Sequence, residues 1–139
     1  MKRNTTKGLK IESKISNQIK KNNFIDISKN KLYKLLEKEN INYKKIISRK
    51  LLPDKAFINL DKKEAFIYEI KYQETQGSAD EKLQTCDFKL KQYKKLLKKL
   101  NITNVKYIYM LNDWFKRPEY KDVLKYIKSI DGCNYRFYN

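Results

Sequence analysis

Histidine is absent from all 139 residues of the chain. Without it there is no usual general base for a Ser/His or Cys/His hydrolase, and no ligand for a histidine-metal nuclease. Cysteine is almost absent too. Cys86 and Cys133 stand far apart without CxxC spacing, so a structural zinc finds no ligand set. No apolar run approaches the roughly 20 residues of a membrane span. The basic N-terminus MKRNTTKGLK continues into IESKISNQIK instead of an apolar stretch, which argues against a secretory signal. The length suits one domain with a moderate core, and the expectation is a cytoplasmic protein with no membrane partner. For an enzyme of this composition, carboxylate, lysine and metal chemistry is what remains.

Acidic residues are also in short supply. Sixteen stand against 33 basic ones, for a net charge of +17. Such a balance points to a partner made of phosphates, nucleic acid or an anionic surface, although a chain this rich in Asn, Ile and Tyr is also what AT-biased coding produces. Lysine outnumbers arginine 29 to 4, which suits non-specific phosphate contact more than the reading of guanine edges. Residues 1–50 carry 15 basic and 4 acidic side chains, against 18 and 12 in the remainder. The pattern predicts a basic helical flank over residues 11–45, behind a flexible tail over residues 1–10, beside a better balanced core over residues 46–139.

Periodicity divides the chain further. Ile11, Ile15 and Ile19 predict a helix over residues 11–22. Leu32, Tyr33, Leu35 and Leu36 predict a second helix over residues 29–41, with Ser28 as its N-cap. The run KKIISRKLL over residues 44–52 reads as a first strand. After it come a hairpin, a polar loop over residues 74–80 capped by Ser78 or Asp80, and a helix from Leu83 to Leu100. Apolar positions in that helix recur every three or four residues. Residues 105–111 form a buried strand, residues 118–130 a helix, and residues 133–138 a last strand. Trp114 reads as a core or rim aromatic. The expected order is α-β-β-β-α-β-α-β, an α/β (α+β) fold whose central mixed sheet is flanked by helices.

Within the hairpin lies the chemistry. Pro53-Asp54 precedes two apolar-rich runs that flank a charged turn near Lys62, and the second run contains Glu69-Ile70-Lys71. Strand alternation sends Glu69, Lys71 and Gln73 to one face and Phe66, Tyr68, Ile70 and Tyr72 to the other. The turn folds Asp54 back beside Glu69. Two carboxylates and a lysine then share one spot on a sheet, an arrangement suited to a hard cation and a phosphate. The plainer alternative is a turn-forming Asp54 and an ordinary same-face Glu69–Lys71 ion pair of little worth. Two charges on a buried strand are costly without a task, which favours the first reading.

The motif resembles the PD-(D/E)xK nuclease superfamily. The continuation Tyr72-Gln73 and Gly77-Ser78-Ala79-Asp80-Glu81-Lys82, with YIYMLNDWF and YKDVLKYI downstream, resembles bacterial type II restriction endonucleases over residues 46–139. The resemblance implies a restriction-endonuclease-like core and a magnesium-dependent endonuclease. Asp54 and Glu69 would hold Mg2+ with the Ile70 carbonyl, Lys71 would orient or help deprotonate the attacking water, and Gln73 would position phosphate or water. It further implies double-stranded DNA as substrate, a homodimer, and a cognate DNA methyltransferase acting on the same site. Ser78, Lys82, Lys89 and Gln92 are candidate DNA contacts, and Glu37 or Glu39 is a candidate additional acid. A structure-selective repair or junction nuclease and a non-catalytic DNA-binding module are the alternatives.

Overall fold

A computed structural model describes residues 23–138. The tail expected over residues 1–10 and the helix expected over residues 11–22 lie outside the described residues. In chain order the elements are β1 (Ile25–Asp26), α1 (Lys31–Lys38), a 3-10 turn (Tyr43–Lys45), β2 (Lys55–Asn59), β3 (Glu64–Lys71), α2 (Ala79–Leu83), α3 (Cys86–Lys98) and β4 (Asn104–Leu111). Two more 3-10 turns (Asp113–Lys116 and Pro118–Tyr120), α4 (Lys121–Ser129) and β5 (Cys133–Phe137) complete them. The five strands form one mixed sheet in the order β1-β2-β3-β4-β5. β2 runs antiparallel to both its neighbours, whereas β3, β4 and β5 run parallel. The protein is thus a mixed α/β fold with helices packed on a five-stranded sheet.

The hairpin forms where the alternating pattern predicts it. Asn59 lies opposite Glu64, and the Asn59 side-chain oxygen accepts the Lys62 amide at 3.0 Å to hold the turn. Lys63 takes the left-handed conformation, with φ of 56°, and its carbonyl accepts the Thr103 and Asn104 amides at 3.1 and 3.0 Å. The turn is thereby tied to the entry of β4.

Alternation then sorts the sheet into two faces. Ala65 and Ile67 of β3, with Val105, Tyr107, Tyr109 and Leu111 of β4, join the main core, to which every described helix contributes. Tyr68, with Phe57, Ile108 and Tyr138, forms a second cluster against which Phe66, Ile70 and Met110 pack. Crossovers of one hand that advance in one direction across a sheet leave their helices on the same face. That rule accounts for α3, between β3 and β4, sharing the main core with α4, between β4 and β5. Cys86, first in α3, and Cys133, first in β5, are both buried there as free thiols.

Three expectations are corrected. Residues 44–52 do not form a strand. Ile46 and Ile47 donate to the Tyr43 carbonyl at 2.9 and 3.0 Å in a helical turn, and further on the Tyr33 hydroxyl takes the place of a strand partner for Leu51. It donates to the Leu51 carbonyl at 2.6 Å and accepts the Leu51 amide at 2.9 Å. The sheet position beside β2 goes instead to β1, which precedes α1 and pairs through Ile25 with Ile58 and Asp26 with Phe57. The described order is therefore β-α-β-β-α-α-β-α-β.

Ser28 is not the N-cap of α1. Asn30 holds that position, without a side-chain capping bond. The Ser28 hydroxyl donates to Asp26 at 2.5 Å and accepts the Ala56 amide at 3.0 Å, stitching β1 to β2. The helix expected from Leu83 to Leu100 is the shorter α3, from Cys86 to Lys98, set off from the short α2 that ends at Leu83; between them the Thr85 hydroxyl donates to the Lys82 carbonyl at 2.7 Å. Local side-chain bonds of this kind compete with helix continuation.

Asp26 makes the β1 stitch sensitive to acid. Burial raises its carboxyl pKa, but the Ser28 hydroxyl and amide and the Lys31 ammonium outweigh that and leave it below the ordinary 3.8. A depressed folded-state value contributes stability above the unfolded pKa that is lost as pH falls through the folded one. Asp26→Asn should therefore lower stability at neutral pH, and the gap from wild type should shrink as pH is taken from about 5 down through 3. Urea unfolding at each pH measures it; a gap independent of pH would count against the stitch.

Candidate active site

The hairpin ladder ends at Lys55 opposite Tyr68. Two residues further, the Pro53 carbonyl turns away to accept the Lys29 amide at 2.8 Å. The Ile70 amide, left at the end of the ladder, donates instead to Asp54 Oδ2 at 2.8 Å. This bond seats the Asp54 carboxylate against the peptide between Glu69 and Ile70, as the folded-back hairpin predicts. Asp54 shares the sequence parity of Ala56 and Ile58, which face the main core. Glu69 shares the parity of Ala65 and Ile67 and faces the same way.

Glu69 lies against a wall of tyrosines. Its Oε2 accepts a short hydrogen bond from the Tyr107 hydroxyl and an ion pair from Lys89 Nζ at 3.2 Å. The Tyr107 ring stacks on Tyr93 at 6.0 Å and meets Tyr109 edge-on at 5.3 Å. All three phenols are pushed up, first by burial and next by the Glu69 charge, so they remain protonated donors. Tyr93 of α3 feels Asp54 as well as Glu69, so both carboxylates act on one buried hydroxyl.

Lys71 closes β3 opposite Leu111 and is half-buried. Among the described residues it does not pair with Glu69, whose ion pair is with Lys89 of α3. The ordinary same-face strand pair is therefore not what holds Glu69.

No protein-family model, curated protein or solved structure matches the chain. The chemistry open to the site follows from its donors. Two carboxylates and a peptide carbonyl are hard oxygen donors, and magnesium needs only one or two carboxylates because it keeps several waters. Among the described residues no group of three or more His, Cys, Asp or Glu side chains is gathered to hold a metal. Both polar contacts of Glu69 among the described residues fall on Oε2, so Oε1 is the oxygen it can offer to such an ion.

The other candidate residues are distributed less favourably. Gln73 lies past the end of β3, where its amide and carbonyl bond the Asn112 side chain at 3.1 and 2.8 Å, prolonging the β3–β4 junction by one residue. Its side-chain Nε2 is buried without a described partner and lies only 2.6 Å from where a Cβ on Gly77 would stand. Gln73 thus packs under the Gly77 loop.

Lys89 points to Glu69, and Gln92 is buried, so neither is a solvated helix-surface contact. Lys82 and Ser78 are exposed. Glu37 accepts from the Tyr43 hydroxyl at 3.3 Å and Glu39 is exposed at the end of α1. Trp114 is a half-buried rim aromatic whose indole donates to the Tyr120 hydroxyl at 2.8 Å, with the Arg117 guanidinium 4.2 Å over its ring.

Sequence reasoning missed Tyr93, Tyr107 and Asn112. One signal was present: Lys89 stands four residues before Tyr93 on the inward side of α3, and a lysine there implies a buried acid across from it. Asn112 joins β4 to the Gln73 backbone by two partly buried bonds. Asn112→Ala should cost about 2 kcal/mol, read from the urea midpoint. Gly77→Ala, which meets only the flexible end of Gln73, should cost less than about 1 kcal/mol while moving the Gln73 side-chain amide signals in an 15N spectrum. Unmoved signals would mean that Gln73 is not packed there.

Proposed function

We propose that the protein is a magnesium-dependent DNA endonuclease of PD-(D/E)xK type, most like a type II restriction enzyme. The observation that carries this reading is the 2.8 Å bond from the Ile70 amide to Asp54, which brings Pro53-Asp54 against Glu69-Ile70-Lys71 on an inner strand of a mixed sheet. The net charge of +17 supplies the attraction for a polyanion.

Asp54 and Glu69, with the Ile70 carbonyl, would hold Mg2+, which supplies positive charge on the phosphate and lowers the pKa of water. The residues of the chain do the aligning. Asp54 is kept in register by the Ile70 amide, and Glu69 is fixed by Tyr107. Lys71, on the Glu69 face, offsets charge on the phosphate and orients the attacking water. The water oxygen bonds to phosphorus, the bond to the 3′ oxygen breaks, and that oxygen takes up a proton, leaving a 5′-phosphate and a 3′-hydroxyl. Among the described residues no helix is long and apolar enough to cross a membrane.

Incubation with plasmid DNA and Mg2+, followed by sequencing of the ends, tests the reading. Ends at discrete sequences mean restriction. Cuts tied to junctions or flaps mean a structure-selective nuclease of the same kind. DNA binding without cuts would leave a binding module and remove the nuclease. Asp54→Asn and Lys71→Ala should each lower cleavage by at least about a hundredfold while duplex binding stays within a few-fold of wild type. Cleavage that survives in both would sink the site. Duplex affinity should fall at least about tenfold between roughly 50 and 200 mM salt, measured by fluorescence anisotropy; a flat response would remove the electrostatic argument.

A further inference from the structure

Lys89 is the one described cation paired with Glu69, and it comes from the covering helix α3, not from the strand. Its Nζ stands 3.2 Å from Oε2, with side-chain exposures of 23% for Lys89 and 18% for Glu69. The pair is largely withdrawn from water, so its mutual attraction is strong and its disruption costly. Tyr107 donates to the same oxygen.

We propose that Lys89 is a resident counter-ion that holds the Glu69 carboxylate until a divalent cation displaces it. This rests on the reading that Asp54 and Glu69 form a cation site. Two carboxylates beside buried tyrosine rings repel each other and are poorly solvated. The ammonium relieves that repulsion in the metal-free protein. An incoming divalent ion at Oε1 brings like charge close to the ammonium on Oε2 of the same carboxylate, so metal and ammonium compete by repulsion. The long lysine stem lets the head swing to water without moving the backbone, and the adjoining Phe88, 62% exposed, shows that this turn of α3 reaches the surface. Lys71, on the strand, has no such pairing with Glu69 and keeps its charge for the phosphate. Lys89 thus lowers cation affinity and stabilises the metal-free site, a regulatory role separate from the work of Lys71.

Titration of the full chain with Tb3+, read by luminescence sensitised through the tyrosines and competed with Mg2+, measures this without cleavage. Lys89→Gln should bind Tb3+ about tenfold more tightly than wild type, equivalent to about 1.4 kcal/mol. Lys89→Arg, which keeps the charge, should stay within about twofold of wild type or bind more weakly. Unchanged or weaker binding by Lys89→Gln, or equal tightening by both variants, overturns the inference.

Melting provides a second reading. Lys89→Gln should melt below wild type in chelator and close that gap as Mg2+ is added, and a constant gap overturns the competition. Glu69→Gln separates the two levels. If it abolishes Tb3+ binding while Lys89→Gln changes nothing, the carboxylate site stands and the role of Lys89 falls. If it binds like wild type, the carboxylate site itself falls, and the inference with it.

Discussion

At the end of the β2–β3 ladder an amide needs an acceptor, and a carboxylate supplies it. Pro53 carries no amide of its own, and its carbonyl is taken by Lys29, so the antiparallel ladder cannot extend past Lys55 and Tyr68. A buried amide left alone would be costly. Asp54 satisfies Ile70, and in doing so stands where a second carboxylate and a lysine also emerge. The hydrogen bond that completes the strand is also the one that assembles the candidate site.

Around that point the fold supplies a setting of low dielectric and fixed donors. Tyr93 from α3, with Tyr107 and Tyr109 from β4, surrounds Glu69 with rings and protonated hydroxyls. Lys89 balances the charge from the helix side. Parallel pairing of β3 with β4 brings these groups together, since Glu69 lies opposite Tyr109 and so reaches back to Tyr107, two residues earlier on the same face. Asn112 then ties the two strands together past their last pairs, through the Gln73 backbone. The carboxylates sit at the carboxyl end of β3, beside the start of β2, where the sheet is pinned on several sides.

Much of this was legible in the residues, and the gaps have physical causes. The hairpin was readable because alternating apolar residues flank a charged turn, and a period of two fixes the face that buries Ala65 and Ile67, since a one-residue slip would turn them out. α3 and α4 were readable from their stripes. Residues 44–52 were misread because adjacent isoleucines suit a buried strand as well as a helical turn. Tyr33, 18 residues before Leu51, decides between them by taking both backbone groups of Leu51. β1 has only two residues, too few for any periodic signal. Ser28 looked like a cap because caps are local, yet its hydroxyl is claimed by Ala56, 28 residues away.

The sequence alone determined the elements whose pattern is local: the hairpin and its faces, the amphipathic helices, the positive charge, and the pairing of Asp54 with Glu69-Ile70-Lys71. Periodicity and a short turn suffice for these, because each residue's environment follows from its near neighbours. Only the tertiary structure decided which strand borders β2, that Glu69 is paired with Lys89 instead of Lys71, and that Tyr93, Tyr107 and Asn112 adjoin the candidate site. Those depend on groups 20 to 39 residues apart, and the competition among distant partners for one buried carboxylate or amide is settled when the helices close over the sheet.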